Sequence, residues 1–187
     1  MEEILMTGPP AVDSRPAIAT TGLTRYLTLD GHGAPDAFPA YADALRRVAV
    51  ALRLAVHPTE ALWWSADGGP MRPERMHAWR WTLLQQVPLE TGTADVAKAS
   101  ATLRGIVPEG LLSDMGVTSL DEGTVAQVLY TGSLRDKAPA LRMLRDFART
   151  HGYAVKGKYH EIYLDDPGPH SPPDARTILR LPLVRTA

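Results

Sequence analysis

The sequence contains no cysteine. That excludes a disulfide framework, a Cys-ligated zinc site and a thiol nucleophile, and it fits a reducing compartment. An excess of one charge is missing too: 20 Lys and Arg stand against 21 Asp and Glu, for a net charge of −1. No basic surplus exists to attract phosphate backbones, so direct nucleic-acid binding is not expected. No segment approaches the ~18 uninterrupted apolar residues of a membrane span. The first residues, Met1 to Leu5, carry acids and do not read as a secretory signal. The expectation is a cytoplasmic protein without a membrane partner. The six histidines (His32, His57, His77, His151, His160, His170) show no metal-ligand spacing. There is no phosphate loop and no nucleophile elbow. Neither a metal nor a cofactor is implied.

What is present is an ordinary globular balance, 44% hydrophobic and 22% charged over 187 residues. That length suits one domain with its own core. Sixteen prolines and fifteen glycines predict frequent connections. Residues 1–22, rich in Thr, Pro, Ala and Gly from Thr7 onward, read as a leader or an irregular edge segment. A single domain is expected over 23–187, with a first half at about 23–90, a connecting helix and loop at about 91–122, and a second half at about 123–187.

The first half reads as a strand at 25–29, a helix from about Asp36 to Ala55, and strands at 60–64 and 78–84. In the helix Phe38, Tyr41, Leu45, Val48 and Leu52 form one apolar face. The connection holds a surface helix at 94–104 with Thr93 as its N-cap. The second half repeats the order: a strand at 124–130, a helix at 139–151 with Leu141, Leu144, Phe147 and Ala148 on its apolar face, and strands at 160–164 and 176–183. Corresponding strands lie about a hundred residues apart. The fold class expected is α+β, two βαββ modules packed as a pseudo-symmetric pair of antiparallel sheets. Helices should cover one face, and the other should form a central ligand groove.

Glu161 is the most informative residue. Alternation puts Glu161 and Tyr163 on one face of their strand and His160, Ile162 and Leu164 on the other. With Ile162 and Leu164 in the core under the helices, Glu161 and Tyr163 point into the groove. A carboxylate in a partly apolar groove can accept a proton; an edge-strand Glu facing water is the plainer alternative. All four tryptophans fall at Trp63, Trp64, Trp79 and Trp81. Trp79 and Trp81 share a face, while Trp63 and Trp64 face opposite ways, so at most one of that pair reaches the groove. Indole rings there would stack on a planar aromatic ligand, unless core packing claims them. Tyr130 could add a hydroxyl.

The stretches 27–33 (Leu-Thr-Leu-Asp-Gly-His-Gly), 58–64 (Pro-Thr-Glu-Ala-Leu-Trp-Trp), 79–82 (Trp-Arg-Trp-Thr), 157–164 (Gly-Lys-Tyr-His-Glu-Ile-Tyr-Leu) and 177–182 (Thr-Ile-Leu-Arg-Leu-Pro) together resemble the GyrI-like small-molecule-binding family. Its relatives include the effector domains of AraC- and MerR-type drug-sensing regulators. The resemblance is strongest to a stand-alone branch, some of whose members look like cyclopropanoid cyclopropyl hydrolases. It implies the duplicated βαββ fold and a glutamate, here Glu161, at the bottom of the ligand groove. It further implies water addition to the cyclopropane of DNA-alkylating spirocyclopropyl-cyclohexadienones of the yatakemycin and CC-1065 type, serving self-resistance or detoxification. Glu161 would be the base, Tyr163 or Tyr130 a hydrogen-bond donor to the dienone oxygen, and Trp63, Trp64, Trp79 or Trp81 the stacking surface. Two other functions stay open: binding or sequestering flat or cationic drugs without turnover, and acting on a protein target, as the family's namesake does on DNA gyrase. The loop at 65–73 and the N-terminal segment depart from the family pattern.

Overall fold

The computed structural model describes residues 12–55, 57–69, 71, 73–133, 136–167 and 172–186. The first eleven residues of the expected leader, and His170, lie outside the described residues. Nine strands and four helices follow in the order β1 (Ala17–Thr20), β2 (Thr24–His32), α1 (Phe38–Ala51), β3 (Thr59–Ser65), β4 (Trp79–Val87), α2 (Thr93–Ala101), α3 (Glu109–Ser113), β5 (Gly116–Leu120), β6 (Thr124–Thr131), α4 (Ala138–Thr150), β7 (Tyr153–Val155), β8 (Tyr159–Tyr163) and β9 (Arg176–Arg185).

All the strand pairings are antiparallel. The main sheet runs β1-β6-β9-β8-β3-β4-β2-β5, with β7 added on β9. From the central pair outward, β3-β4-β2 on one side mirrors β8-β9-β6 on the other. Helix α1 connects β2 to β3, and α4 lies between β6 and β8. These are the two βαββ units, joined edge to edge along β3 and β8. Their register sets Ala61 opposite Glu161, with Thr59 opposite Tyr163 and Trp63 opposite Tyr159.

Both helices lie on one face. Phe38, Leu45 and Val48 of α1 pack on Leu27, Leu29, Ala61, Trp63, Trp81 and Leu83. Leu144 and Ala148 of α4 pack on Ala126, Val128, Leu179 and Leu181. Each buried Leu, Val or Phe among them stabilises the fold by about 1.5–3 kcal/mol. Glu161 pairs in register with Ala61 of the first cluster and Leu179 of the second, so it stands on the seam between them.

The expected groove on the helix-free face is not what forms. Glu161 and Tyr163 point toward the helices, and Ile162 points away from them. The helix-free face is itself buried. Tyr26, Leu62 and Leu84 cluster there with Leu120. The turn after β5 carries Glu122 beneath the sheet, where it meets His160 and Arg180. With both faces filled, an apolar side chain at 162 gave no guide to the helix side.

Other elements differ in their bounds. Helix α1 is shorter at both ends, its start preceded by a 3-10 turn at Pro35–Ala37. Helix α2 is capped at Gly92, whose N–H donates to the Asp95 carboxylate at 2.9 Å, so Thr93 is already helical. It also buries Val96, Ala99 and Ser100 and is no mere surface helix. Within the expected leader, Ala17–Thr20 forms edge strand β1 on β6. Within the expected connection, Gly116–Leu120 forms edge strand β5 on β2.

Candidate functional site

Strand β8 opens after Gly157, whose φ of 66° favours glycine, and runs Tyr-His-Glu-Ile-Tyr. Its alternation sends Tyr159, Glu161 and Tyr163 to the helix face. The Glu161 side chain is completely buried, so the solvated edge glutamate is excluded. Its Oε1 forms an ion pair with Lys137 Nζ, from the residue that precedes α4. The Lys137 side chain keeps 21% exposure and is the solvent-facing member of the pair.

Aromatic rings surround this pair. Trp63 stacks on Phe38, with centroids 5.7 Å apart and planes 6° from parallel. Phe38 meets Tyr163 edge-on at 5.6 Å, and Trp79 meets Trp63 edge-on at 6.1 Å. The Lys137 ammonium lies 5.9 Å from the Trp63 ring centroid and 6.0 Å from that of Tyr159. Trp63 Nε1–H donates to the Tyr163 hydroxyl at 3.3 Å. The Tyr159 and Tyr163 hydroxyls sit beside the Glu161 carboxylate. Burial first, and then that neighbouring charge, pushes both phenols well above the usual tyrosine range.

The hydrogen bonding of this group is incomplete. Beyond the lysine ion pair, neither Glu161 oxygen has a hydrogen bond of good geometry among the described residues, and neither does the Tyr159 hydroxyl or the indole N–H of Trp79 or Trp81. A buried polar group without a partner costs about 1–3 kcal/mol. Unpaired buried groups of this kind are ones that a bound water or ligand could satisfy.

The opposite face of the same strand behaves differently. His160 Nε2 lies 2.9 Å from Glu60 Oε2, and Nδ1 lies 3.1 Å from Glu122 Oε1. Arg180 donates to Glu122 at 3.0 Å and to Gln127 at 3.2 Å, and the Tyr26 hydroxyl donates to Glu60 at 3.2 Å. Burial would lower the His160 pKa, but the hydrogen bonds its ring donates to the two carboxylates outweigh it and raise it to about 9. Burial likewise opposes the charge on Glu122, yet His160 and Arg180 hold its carboxyl below the usual value. Two acids and two bases close this cluster, and among the described residues none of their side-chain polar atoms is buried without a partner.

The residues read from the sequence thus divide. Glu161, Tyr163, Trp63, Trp79 and Trp81 share the helix face. Trp81 is fully buried there, its ring resting where a Cβ on Gly31 would stand 2.1 Å away. Trp64 is on the other face, with Lys158 Nζ 3.4 Å from its ring centroid, so it cannot stack over Glu161. Trp63 takes that place. Tyr130 stands two strands from Tyr163 in the register row, and its hydroxyl donates to the Ser133 carbonyl at 3.0 Å. Lys137 and Tyr159 were not anticipated. Extending the strand reading by one residue reaches Tyr159; no local pattern announces Lys137, because its partner lies in another element. Two cavities, of about 260 Å³ between α2, α3 and β5 and about 310 Å³ beside α1, are lined by neither Glu161 nor its aromatic neighbours.

The model of the GyrI-like small molecule binding domain matches residues 16–184. Solved structures share the whole architecture. An uncharacterized conserved protein from Listeria innocua superposes with a TM-score of 0.82 at 25% identity, over 93% of this chain and 94% of that one. A protein described as a hydrolase from Listeria innocua gives 0.80 at 24% identity, over 94% of both chains. The EcmrR C-terminal domain gives 0.64 at 11% identity, over 92% of this chain and 98% of that one. No curated protein matches the sequence. The mirrored βαββ pair, the glutamate on its seam and a match across nearly the whole chain converge: this chain belongs to the GyrI-like family of small-molecule-binding domains.

Proposed function

We propose that the chain is a cofactor-independent hydrolase that opens the cyclopropane of flat spirocyclopropyl-cyclohexadienones by adding water, with Glu161 as base. The observation that carries this reading is the buried Glu161 carboxylate, walled by aromatic rings and short of hydrogen bonds. A carboxylate within hydrogen-bond reach of a held water can act as its general base. Trp63, with Phe38 and Trp79 behind it, supplies a flat wall for a flat substrate. The fold shared with a Listeria innocua protein described as a hydrolase agrees with catalysis without specifying it.

Water oxygen attacks the cyclopropane methylene while Glu161 takes the water's proton. The carbon–carbon bond to the spiro centre breaks, and its electron pair aromatises the ring. The former dienone oxygen becomes a phenolate, which Lys137 or the Tyr163 hydroxyl can stabilise by charge and hydrogen bonding. It then takes the proton held by Glu161. The product is a phenol bearing a primary alcohol, no longer an alkylating agent. Glu161 is enclosed at rest, so substrate entry requires Lys137, the solvent-facing member of the pair, to swing aside.

A second reading, binding or sequestering flat or cationic drugs without turnover, is favoured by one feature: a buried carboxylate flanked by aromatic rings can hold a flat ligand with no reacting water needed. Loss of the dienone absorbance on mixing with substoichiometric protein separates the two. Many turnovers per protein molecule support the hydrolase. A stoichiometric spectral shift that then stays constant supports sequestration.

A further inference from the structure

We propose that Lys137 is the specificity-determining residue of the Glu161 site: a tethered counter-ion that turns organic cations away and selects neutral flat ligands bearing a carbonyl oxygen. The inference rests on the reading that ligands enter at Glu161.

Lys137 Nζ is paired with the Glu161 carboxylate and stands about equally far from the Trp63 and Tyr159 rings. A carboxylate with flanking aromatic faces is the chemistry that captures organic cations. Here the chain supplies that cation itself. Because Lys137 is covalently attached, its effective concentration at the carboxylate is of millimolar order or above, against which a free cation must compete. An arriving cation would also set two positive charges beside one carboxylate, a repulsion strengthened by burial. The Glu161–Lys137 pair sums to zero charge, so a neutral ligand meets no such penalty. Its carbonyl oxygen can instead accept a charge-assisted hydrogen bond from the ammonium. Lys137 is also the exposed member of the pair, which puts it on the approach to the buried carboxylate.

The test is fluorescence polarisation of rhodamine 6G, a flat cationic dye, with the full chain. The native protein should bind it weakly. Lys137→Met should bind at least about tenfold tighter, and Lys137→Met combined with Glu161→Gln should return to the native affinity. A folded Lys137→Met protein with no gain would overturn the proposal, as would a gain that survives in the double variant. Removing one partner of a buried pair can unfold a protein, so a second measurement uses the native chain alone. Acridine should bind at least about tenfold tighter than N-methylacridinium at a pH where acridine is neutral, and equal or reversed affinities contradict the claim. Dienone turnover is read separately, so failure of the hydrolase reading and failure of the lysine's role give different results.

Discussion

Residues 160 and 161 are neighbours in one strand, both completely buried, and they belong to opposite kinds of chemistry. On one face His160 is clasped by Glu60 and Glu122, with Arg180, Gln127 and Tyr26 completing the hydrogen bonds. On the other, Glu161 has one lysine ion pair and no well-formed hydrogen bond among the described residues. The first cluster ties strands of both halves together through a pair 100 residues apart in the sequence. The second leaves a charge underused at the seam. Burial alone therefore does not distinguish the two faces; completeness of the polar contacts does, and the proposal for Glu161 rests on that difference.

Substitutions can break this contrast, and the largest effect is expected at Glu161. Glu161→Gln should reduce dienone turnover by about 10²–10⁴-fold, with a melting temperature close to native. A steady-state rate assay beside a thermal melt reads both. His160→Leu should do the reverse, costing about 3–5 kcal/mol of stability because Glu60 and Glu122 are left buried with fewer partners. Urea unfolding measures it, and a loss under 1 kcal/mol would mean that the cluster is not a clasp. Gly31→Ala should cost about 1–3 kcal/mol, since its new methyl group would meet the Trp81 ring.

The pH dependence sharpens the contrast further. His160 is raised from 6.5 to about 9 on folding, so its contribution to stability is full below 6.5 and is lost as pH rises through about 9. Unfolding midpoints should fall between pH 7 and pH 10 in the native chain, and by clearly less in His160→Leu. The smallest effect is expected for Trp64→Ala. That ring is on the face away from Glu161, so turnover should stay within about twofold of native, whereas Trp63→Ala should raise KM several-fold. Equal effects of the two would show that ligand contacts do not follow the faces of the sheet.

Much of this was legible in the sequence. The strand–helix–strand–strand order and its repeat followed from periodicity, because α1 and α4 each bury one clear apolar stripe. Alternation correctly put Glu161 with Tyr163 and His160 with Ile162. It could not say which side the helices take, since four of the five residues of β8 are buried, leaving no polar side to mark solvent. Short, weakly apolar strands such as Gly116–Leu120 and Ala17–Thr20 give too few alternations to stand out, and they form because partner strands offer their edges. The two charged clusters were hidden for the same reason. Glu122 reaches His160 from a turn 38 residues away, and Lys137 reaches Glu161 from the start of a helix on another element. Local pattern carries no trace of such meetings.

The most direct test is to run the reaction in water enriched in oxygen-18 with a spirocyclopropyl-cyclohexadienone and follow the product by mass spectrometry. A water adduct carrying the heavy oxygen in its new primary alcohol should form catalytically, and its formation should be nearly abolished in Glu161→Gln. A compound that binds the native protein yet is recovered unchanged, or an adduct formed equally fast by Glu161→Gln, would contradict the assignment of Glu161 as the base of a hydrolase.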